Sequence, residues 1–225
     1  MLVVDVVIPV LHRPKNVAPL MESLWRTARG SVRPWFIVEH GDDKEKQAVL
    51  DAGAVPLIYS GTFPEKVNFA WNYIQQHAGG GSADWLMPIG DDVIFHEGWL
   101  EAALVAADKY GWDVVGTNDL LNPAVLSGHH ATHPLIRTSY IADRGASWDG
   151  PGTVCSEQLL HCFVDTEWST VAVERGVFGV ALDSVVEHIH PFNGKAPDDE
   201  GYRKAYESFN QDAATYARRS NLYGS

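Results

Sequence analysis

Two neighbouring carboxylates follow a short apolar run in the first half of the chain. Residues 85–89 read Trp-Leu-Met-Pro-Ile, which predicts a buried strand, and Gly90 then leads into Asp91 and Asp92. Both carboxylates are expected at the carboxyl edge of a sheet, where open α/β sheets bind ligands. Adjacent carboxylates repel unless a cation joins them, and Mg²⁺ or Mn²⁺ shared with a diphosphate is one explanation. The alternative is a solvated turn in which an aspartate caps the following segment.

Two further groups of polar residues lie later in the chain. Asp165 and Glu167 occur in a segment with helical periodicity. Residues two apart do not share a helix face, so we expect at most one of these carboxylates to point toward a substrate; an acidic first turn stabilised by the helix dipole is the alternative. His188 and His190 share one face of a predicted strand, which suits either a metal ligand or an exposed pair.

Other candidates lie in the polar middle of the chain. His129, His130 and His133 are interpreted as part of an acceptor-side loop rather than as a metal cluster, because their segment has no clear helical periodicity. Trp148 lies in a Gly/Pro loop with little core to enter, so it is a candidate to stack on a sugar or base ring. Arg137 is a candidate contact for a diphosphate, and pairing with surface acids is the alternative.

The elements that must position these residues alternate along the first half of the chain. The predicted strands, recognised as short apolar and β-branched runs, are residues 3–10, 35–38, 55–59, 85–89 and 112–116. The predicted helices, recognised by apolar residues at helical spacing, are residues 16–30, 44–52, 63–77 and 99–110. Gly30, the glycines of 79–82 and Gly111 are expected to end three of them. This alternation predicts an α/β fold with a mostly parallel central sheet flanked by helices.

The pattern is less regular after residue 118. Periodicity returns within 157–174, strands are predicted at 177–182 and 184–190, and a polar helical tail is predicted over 201–219. A chain of 225 residues is long enough for one sizeable core. We therefore expect a single α/β domain with a less regular C-terminal half.

Composition excludes several classes of protein. The 17 basic and 29 acidic residues give a formal charge of −12, which argues against a stable complex with nucleic acid. Cys155 and Cys162 match no metal or redox spacing. The longest mainly apolar run, residues 2–11, is about half of what a membrane span needs and lacks the marks of a secretory signal. The simplest expectation is a cytoplasmic protein.

In this order, the features resemble the inverting nucleotide-sugar glycosyltransferases of family 2, which have the GT-A fold. The resemblance begins with the apolar strand that ends in Pro9 and continues through an acidic cluster at 39–43 and the helical residues 68–72. It then includes residues 85–92, where the family carries its Asp-X-Asp element, and residues 165–176, which resemble the family's acidic helix followed by a basic residue and glycine. His188, after a closing strand, is placed where many members have a histidine.

The resemblance implies roles for individual residues. Asp92 would bind Mn²⁺ or Mg²⁺, His188 would complete the metal site with His190 as its alternative or assistant, and Asp165 would be the general base. The residues implied to bind a nucleotide-diphosphate sugar, with a UDP-sugar favoured, are Pro9, Glu39, Asp42, Lys66, Asn72, Asp91, Arg137 and Trp148. The chain would divide into a nucleotide-sugar-binding segment 1–117, an acceptor-binding and catalytic segment 118–200 of the same domain, and a helical tail 201–225.

The sequence departs from the family pattern at two motifs. The Asp-X-Asp element is Gly90-Asp91-Asp92, so either Asp91 or Gly90 would occupy the ribose side. The usual Asp-Asp-Gly-Ser after the second strand is replaced by residues 39–42, Glu-His-Gly-Asp, so Glu39 or Asp42 would face the base.

Three functions remain open from the sequence. The first is a metal-dependent inverting glycosyltransferase that acts on an acceptor hydroxyl of a glycan, lipid-linked sugar, protein or modified nucleobase. The second is a sugar nucleotidyltransferase, which would need a Gly-rich basic phosphate loop after the first strand, whereas residues 11–15 are basic without glycine. The third is a non-catalytic nucleotide- or carbohydrate-binding protein, which would not need Asp165.

Overall fold

Strands and helices alternate in the computed structural model, which describes residues 2–28, 31–77 and 83–224. The strands are β1 Val4–Pro9, β2 Val32–Val38, β3 Pro56–Ile58, β4 Trp85–Pro88, β5 Val93–Phe95, β6 Val114–Asn118, β7 Pro134–Arg137 and β8 Phe178–His188. The helices are α1 Pro14–Ala28, α2 Asp43–Asp51, α3 Phe63–His77, α4 Trp99–Tyr110, α5 Pro123–Leu126, α6 Thr138–Arg144, α7 Val164–Glu174, α8 Glu200–Glu207 and α9 Phe209–Tyr223, with a 3₁₀ turn at Pro191–Asn193. Within these ranges, no helix has the length and apolar character needed to cross a membrane.

The first half of the sheet is parallel. β1 pairs with β2 and with β4, and β2 pairs with β3, all in the parallel sense. Successive side chains of a strand point to opposite faces, so Val6 and Ile8 pack in one core cluster and Val7 in the other. The carboxyl ends of β1, β2 and β4 therefore lie along one edge of the sheet, and the loops that follow them meet there.

The second half of the sheet mixes both senses. The strand order is β3-β2-β1-β4-β7-β6-β8-β5. β7 is antiparallel to β4 and β6, β5 is antiparallel to β8, and β6 is parallel to β8. The prediction of a mostly parallel sheet flanked by helices is confirmed, because four of the seven pairings among described strands are parallel. The sequence does not predict β7, because four residues are too few to show the alternation that is typical of a strand.

Several predicted boundaries differ from the structure. The two predicted late strands form one long strand, β8, whose register against β6 shifts at Asn118. α1 begins at Pro14, two residues before the predicted start, because the N–H that proline lacks is one that the first helical residue does not need. Its expected stop, Gly30, lies outside the described residues, as do the glycines of 79–81.

The helices of the second half also begin later, or divide. α7 begins at Val164 rather than near residue 157, after Phe163 takes a left-handed φ of +65° that interrupts any earlier helix. The predicted tail is two helices, α8 and α9, which meet at Ser208. The predicted boundary between residues 117 and 118 falls within β6, which pairs with the later strands β7 and β8.

A buried ion pair attaches α9 to α7. The Arg219 guanidinium, 1% exposed, donates from Nε to Glu167 Oε2 at 2.8 Å and from Nη2 to Glu167 Oε1 at 2.9 Å. Its Nη1 donates to Asp149 Oδ1 at 2.9 Å, and Ser147 Oγ donates to Glu167 Oε1 at 2.5 Å. Because a buried charge needs several partners, this network fixes the position of α7.

We expect Arg219→Ala to lower the free energy of unfolding by about 3–5 kcal/mol, because it leaves the Glu167 carboxylate buried without its cation. Urea unfolding at neutral pH measures the change. Arg203→Ala is the matched control, since Arg203 on α8 lies 4.0 Å from Asp198 in an exposed pair, and its effect should be close to zero. Equal effects of the two substitutions would contradict the structural role of Arg219.

Candidate functional site

A cleft of about 1180 Å³ opens at the carboxyl ends of β1 and β4. Pro9 at the end of β1, Glu39 after β2 and the turn carrying Asp91 and Asp92 line one part of it. Further lining comes from the start of α3, including Lys66, the loop before β7, the loop before α7 and its start, including Asp165, and the segment around α8. The fold therefore brings residues from both halves of the chain into one cavity, at the edge where α/β sheets bind ligands.

Asp92 is held among hydrogen-bond donors. Tyr202 Oη donates to Asp92 Oδ2 at 2.8 Å, and His188 Nε2 lies 3.3 Å from the same oxygen. The backbone carbonyl of Asp92 accepts from the Ile189 amide at 2.8 Å, which ties the turn to the end of β8. Burial alone would raise the pKa of Asp92, but the hydrogen bond and charge of His188, with the Tyr202 hydroxyl, hold it well below its usual range.

Asp91 is buried in a less favourable environment. Its Oδ1 accepts from Arg13 Nη1 at 3.2 Å, while its Oδ2 has no hydrogen-bond partner among the described residues. Burial, followed by the charge of Asp92, raises the pKa of Asp91 to about 7. The two adjacent carboxylates therefore titrate far apart, which is typical of functional sites.

Arg13 is the cation that the adjacent carboxylates require. It follows β1, lies 3.7 Å from Asp92, and donates from Nη2 to Asp199 Oδ1 at 2.9 Å. Its guanidinium also covers the Tyr202 ring at 3.8 Å from the ring centre. A Cβ at Gly201 would approach Arg13 Nη2 to 2.7 Å, so this close approach favours glycine at the start of α8.

The three histidines near Asp92 differ in their hydrogen bonds. His190 caps the 3₁₀ turn: its Nδ1 accepts from the Phe192 amide at 3.2 Å and its Nε2 lies 3.3 Å from Tyr206 Oη. β8 ends at His188, two residues earlier than predicted. His133 is 3% exposed, and neither of its ring nitrogens has a partner among the described residues. Burial, with His188 beside it, lowers the pKa of His133 to about 4, so its ring is neutral near pH 7.

Glu39 and Lys66 form an ion pair beside Pro9. Lys66 in the first turn of α3 is buried, and its Nζ lies 2.6 Å from Glu39 Oε1 and 3.3 Å from the carbonyl oxygen of Val10. Asp42, the other candidate to face the nucleobase, is instead the N-cap of α2, where its side chain accepts a hydrogen bond from the Glu45 amide. Asp42 does not line the cleft, so of the two candidates only Glu39 is in place.

Asp165 and Glu167 point in different directions, as their spacing predicts. Asp165 lines the cleft, and its Oδ2 lies 3.0 Å from His130 Nε2. Glu167 is buried in the ion pair with Arg219. Only Asp165 of this pair is open to a ligand.

Arg137 and Trp148 lie outside the cleft, which corrects two predictions. Arg137 stands opposite Trp85 in the antiparallel β4–β7 pair, at the end of β4 remote from Asp91, and its Nε donates to Asp113 at 2.8 Å. Trp148 Nε1 donates to Glu174 at 3.1 Å instead of facing a ligand. The sequence does not reveal the antiparallel direction of β7, which places Arg137, or the path of the loop that places Trp148.

Asn72 also lies outside the cleft, on α3 beside a second, smaller cavity. This corrects its predicted contact with the nucleotide sugar. The sequence missed Arg13, Tyr202 and Asp199 as members of the site. A basic residue directly after β1 could have indicated Arg13, but no local pattern links Tyr202 to an aspartate 110 residues earlier.

The donor set around Asp92 suits a divalent ion in its chemistry. Carboxylate oxygen and imidazole nitrogen are both ligands of Mn²⁺, and the 3.3 Å between Asp92 Oδ2 and His188 Nε2 is close to the separation of about 3 Å between adjacent ligands of one ion. Across the described ranges, no three His, Cys, Asp or Glu side chains are already arranged to hold a metal. Asp92 and His188 would therefore be the ligands that the protein supplies to such an ion, and diphosphate oxygens would supply others.

Solved structures with this fold are numerous, although no protein-family model matches the chain. No curated protein sequence matches it either. Staphylococcus aureus TarS 1-349 in complex with UDP-GlcNAc has a TM-score of 0.62 at 14% identity, covering 95% of this chain and 66% of that one. The mannosyltransferase PcManGT from Pyrobaculum calidifontis, in complex with GDP-Man and Mn²⁺, has a TM-score of 0.61 at 10% identity, covering 99% and 76%.

A third similar structure is glucosyl-3-phosphoglycerate synthase from Mycobacterium tuberculosis in complex with Mn²⁺, UDP and phosphoglyceric acid. It has a TM-score of 0.61 at 14% identity, covering 96% of this chain and 78% of that one. The chain has a GT-A-like glycosyltransferase fold. It spans 60% of the length of TarS 1-349 without ligand and 36% of the longer TarS chain. At these identities the likeness establishes the fold alone.

We expect Arg13→Ala to loosen α8, because the guanidinium joins the loop after β1 to Asp199 and to the Tyr202 ring. Amide hydrogen exchange in 199–207 should become faster, while exchange in β1 and β2 changes little. Arg203→Ala, an exposed arginine of the same helix, is the control. Unchanged protection of 199–207 in Arg13→Ala would show that α8 is held by other contacts.

Proposed function

We propose that this chain is a metal-dependent glycosyltransferase that transfers a sugar, with inversion, from a nucleotide-diphosphate donor to an acceptor hydroxyl. The observation that carries this proposal is a single cleft that contains both the Asp92–His188 pair and the Asp165 carboxylate. Asp92 and His188 suit the binding of a diphosphate through a divalent ion. Asp165 suits the removal of a proton from an attacking hydroxyl. The fold shared with TarS, PcManGT and glucosyl-3-phosphoglycerate synthase supports the same function.

We assign the nucleoside of the donor to the part of the cleft formed by Pro9, Glu39 and Lys66. Glu39 presents a carboxylate that can accept from the N–H of a base, and Lys66 keeps it ionised: burial is outweighed by the Lys66 hydrogen bond, so the pKa of Glu39 is lowered. Asp91 is the candidate on the ribose side. We favour a UDP-sugar, in agreement with the UDP and UDP-GlcNAc bound to two of the similar structures.

Asp92 and His188 would hold Mn²⁺ or Mg²⁺ at the diphosphate. When bound, the ion supplies positive charge that stabilises the departing diphosphate. His190 is the weaker candidate because both of its ring nitrogens already have partners, the Phe192 amide in the turn that it caps and the Tyr206 hydroxyl in α8. Arg13 contributes a fixed positive charge beside the same carboxylates.

Asp165 would accept the proton of the acceptor hydroxyl as its oxygen attacks the anomeric carbon. Inversion requires attack from the side opposite the departing diphosphate, so the base and the diphosphate site must be separate groups in one cavity. The Asp165 side chain is 34% exposed, which leaves it accessible to an acceptor. General base catalysis of this kind contributes about 10²–10⁴-fold in rate.

A sugar nucleotidyltransferase is the second candidate, and two observations weigh against it. The loop after β1 has no glycine to cradle a triphosphate with backbone amides. Its Arg13 is committed to Asp91 and Asp199. A non-catalytic binding protein is the third candidate, for which a half-buried carboxylate paired with His130 would have no evident use.

A panel of nucleotide sugars tests the function. Thermal unfolding is followed with each UDP- and GDP-sugar, with and without Mn²⁺, because a ligand at 100 times its dissociation constant adds about 2.7 kcal/mol of stability. The stabilising donor is then incubated with acceptor mixtures, and release of nucleoside diphosphate is measured. Stabilisation by a nucleotide sugar without any product release would favour the binding protein.

We expect Asp92→Ala to abolish Mn²⁺-dependent binding of UDP, because it removes the carboxylate assigned to the ion. Isothermal calorimetry of UDP with and without Mn²⁺ measures this. His188→Ala should weaken Mn²⁺-dependent binding by about tenfold or more. His190→Ala is its matched control and should change Mn²⁺ binding less. Undiminished binding by Asp92→Ala, or a larger effect at His190 than at His188, would contradict the assignment.

We expect Asp165→Asn to reduce kcat by about 10²–10⁴-fold and to leave donor affinity nearly unchanged. An amide keeps the shape of the carboxylate but does not accept the proton. Single-turnover transfer and calorimetry of the donor separate the two effects. Glu167→Gln, two residues away, should act through stability because Glu167 is buried with Arg219. Full transfer by Asp165→Asn would eliminate it as the base.

A further inference from the structure

We propose that His130 is a positioning residue for Asp165: its imidazole fixes the orientation of the carboxylate that accepts the proton in the cleft. This inference rests on the proposed function, since it concerns the base of that reaction. His130 Nε2 lies 3.0 Å from Asp165 Oδ2. The His130 side chain is 12% exposed and that of Asp165 34%, so the carboxylate is the more accessible member of the pair.

The loop that carries His130 is held in register with α7. The amide of Ala131, the next residue, donates to Ser169 Oγ at 3.0 Å, and that hydroxyl donates to the carbonyl of Asp165 at 2.8 Å. Thr132 Oγ1 donates to Asp119 Oδ2 at 2.7 Å on the other side of the loop. These contacts place the imidazole beside Asp165 through the backbone of both segments, so the pair does not depend on two mobile side chains meeting.

Both oxygens of Asp165 are oriented, and capacity for a proton remains. Oδ1 accepts from the amide of Thr166 at 2.8 Å and from its hydroxyl at 3.4 Å, and Oδ2 faces His130. A carboxylate oxygen has two acceptor positions, so Oδ2 keeps one for a substrate. In the proposed step the acceptor O–H bond breaks, the proton moves to an Asp165 oxygen, and the freed electron pair forms the bond to the anomeric carbon as the diphosphate leaves with its own pair.

The electrostatic balance explains why the imidazole is needed. Burial alone would raise the pKa of Asp165, but the hydrogen bond and charge of His130 outweigh it and lower that pKa. Burial opposes protonation of His130, yet the same bond with Asp165 raises the pKa of His130. The other titratable groups that face Asp165 are His133, His161, Cys162 and His188, and Asp119 faces His130.

The direction of the pH dependence follows from this balance. The ionised form of Asp165 is the active base, so activity rises with pH as Asp165 loses its proton. In a variant without His130, burial still disfavours the charge of Asp165, while the main partner that favours this charge is gone. The pKa of Asp165 therefore rises. The acidic limb of the rate profile therefore moves to higher pH. A residue that only supported the fold would lower activity without moving this limb.

The reverse assignment, with His130 as base and Asp165 as its orienting partner, makes different expectations. An imidazole base must be neutral to accept a proton, so activity would follow deprotonation of His130, and His130→Gln would lose as much rate as Asp165→Asn. These outcomes would overturn the proposal.

The first experiment is an NMR titration of the histidine rings in the parent and in Asp165→Asn, which needs no enzymatic activity. The pKa of His130 should fall in Asp165→Asn, because the carboxylate that favours its protonation is gone. The internal control is the pair of His96 Nε2 and Glu187 Oε2, which lie 2.7 Å apart at a more exposed histidine and should give the same signal against pH in both proteins. An unchanged pKa of His130 would overturn the proposal.

The second experiment compares His130→Gln, His130→Ala and the control His96→Gln in donor binding, kcat and rate against pH. His130→Ala should lower kcat by about 10-fold or more, keep the donor dissociation constant and shift the acidic limb upward. His130→Gln keeps a hydrogen-bond donor, so its loss should be smaller, and His96→Gln should behave as the parent. Thermal unfolding identifies any variant that fails to fold.

The two experiments separate failure of the inference from failure of the proposed function. If the parent transfers no sugar while the His130 titration responds to Asp165→Asn, the pair exists and the glycosyltransferase proposal is wrong. If the parent transfers sugar and His130→Ala keeps the parent's acidic limb, the function stands and the positioning role is wrong.

Discussion

The repulsion between two adjacent, buried carboxylates is the constraint around which the cleft is built. Unit charges about 4 Å apart interact by about 4 kcal/mol at the effective dielectric constant of a protein. The structure relieves the repulsion by treating Asp91 and Asp92 differently. Asp92 is kept ionised by His188 and Tyr202, while burial raises the pKa of Asp91 to about 7 beside Arg13. One carboxylate is thereby available to bind a cation and the other holds its proton more readily.

This electrostatic requirement connects segments that are far apart in the chain. Arg13 comes from the loop after β1, His188 from the end of β8, and Tyr202 and Asp199 from the start of α8. α8 is therefore tied to the cleft by the polar contacts of Asp199 and Tyr202, with aromatic contacts to His190 and Phe192 beside them. α9 is fixed by a different buried charge, because Arg219 bonds Glu167 on the helix that carries Asp165. Both C-terminal helices are attached to elements of the site, so the stability of that region and the geometry of the cleft depend on the same ion pairs.

The sequence predicted what depends on local pattern. Strands β1 to β4 and the helices between them follow from apolar runs and helical spacing, and the position of Asp91 and Asp92 follows from the end of β4. Asp165 and Glu167 were separated correctly by helix geometry alone. Arg137 and Trp148 were misplaced because their positions depend on the antiparallel sense of β7 and on a loop that turns toward Glu174. Tyr202 was predicted only as part of the helical tail, since its hydroxyl meets Asp92 through the tertiary fold.

The same physical arrangement recurs at the two carboxylates assigned to the reaction. Asp92 is largely buried and Asp165 is partly buried in the wall of the cleft, which disfavours their charge, and a histidine favours the ionised form of each, His188 or His130. Burial strengthens every interaction that such a charge makes with a substrate, because little solvent competes with it. A histidine partner stabilises that charge and can itself be displaced or titrated, unlike an arginine. Arg219 supplies the contrast, since its fixed charge neutralises Glu167, which the cleft does not use. In the cleft a histidine accompanies each of the two carboxylates that are assigned reactive roles, whereas in α7 an arginine neutralises a carboxylate that the cleft does not use.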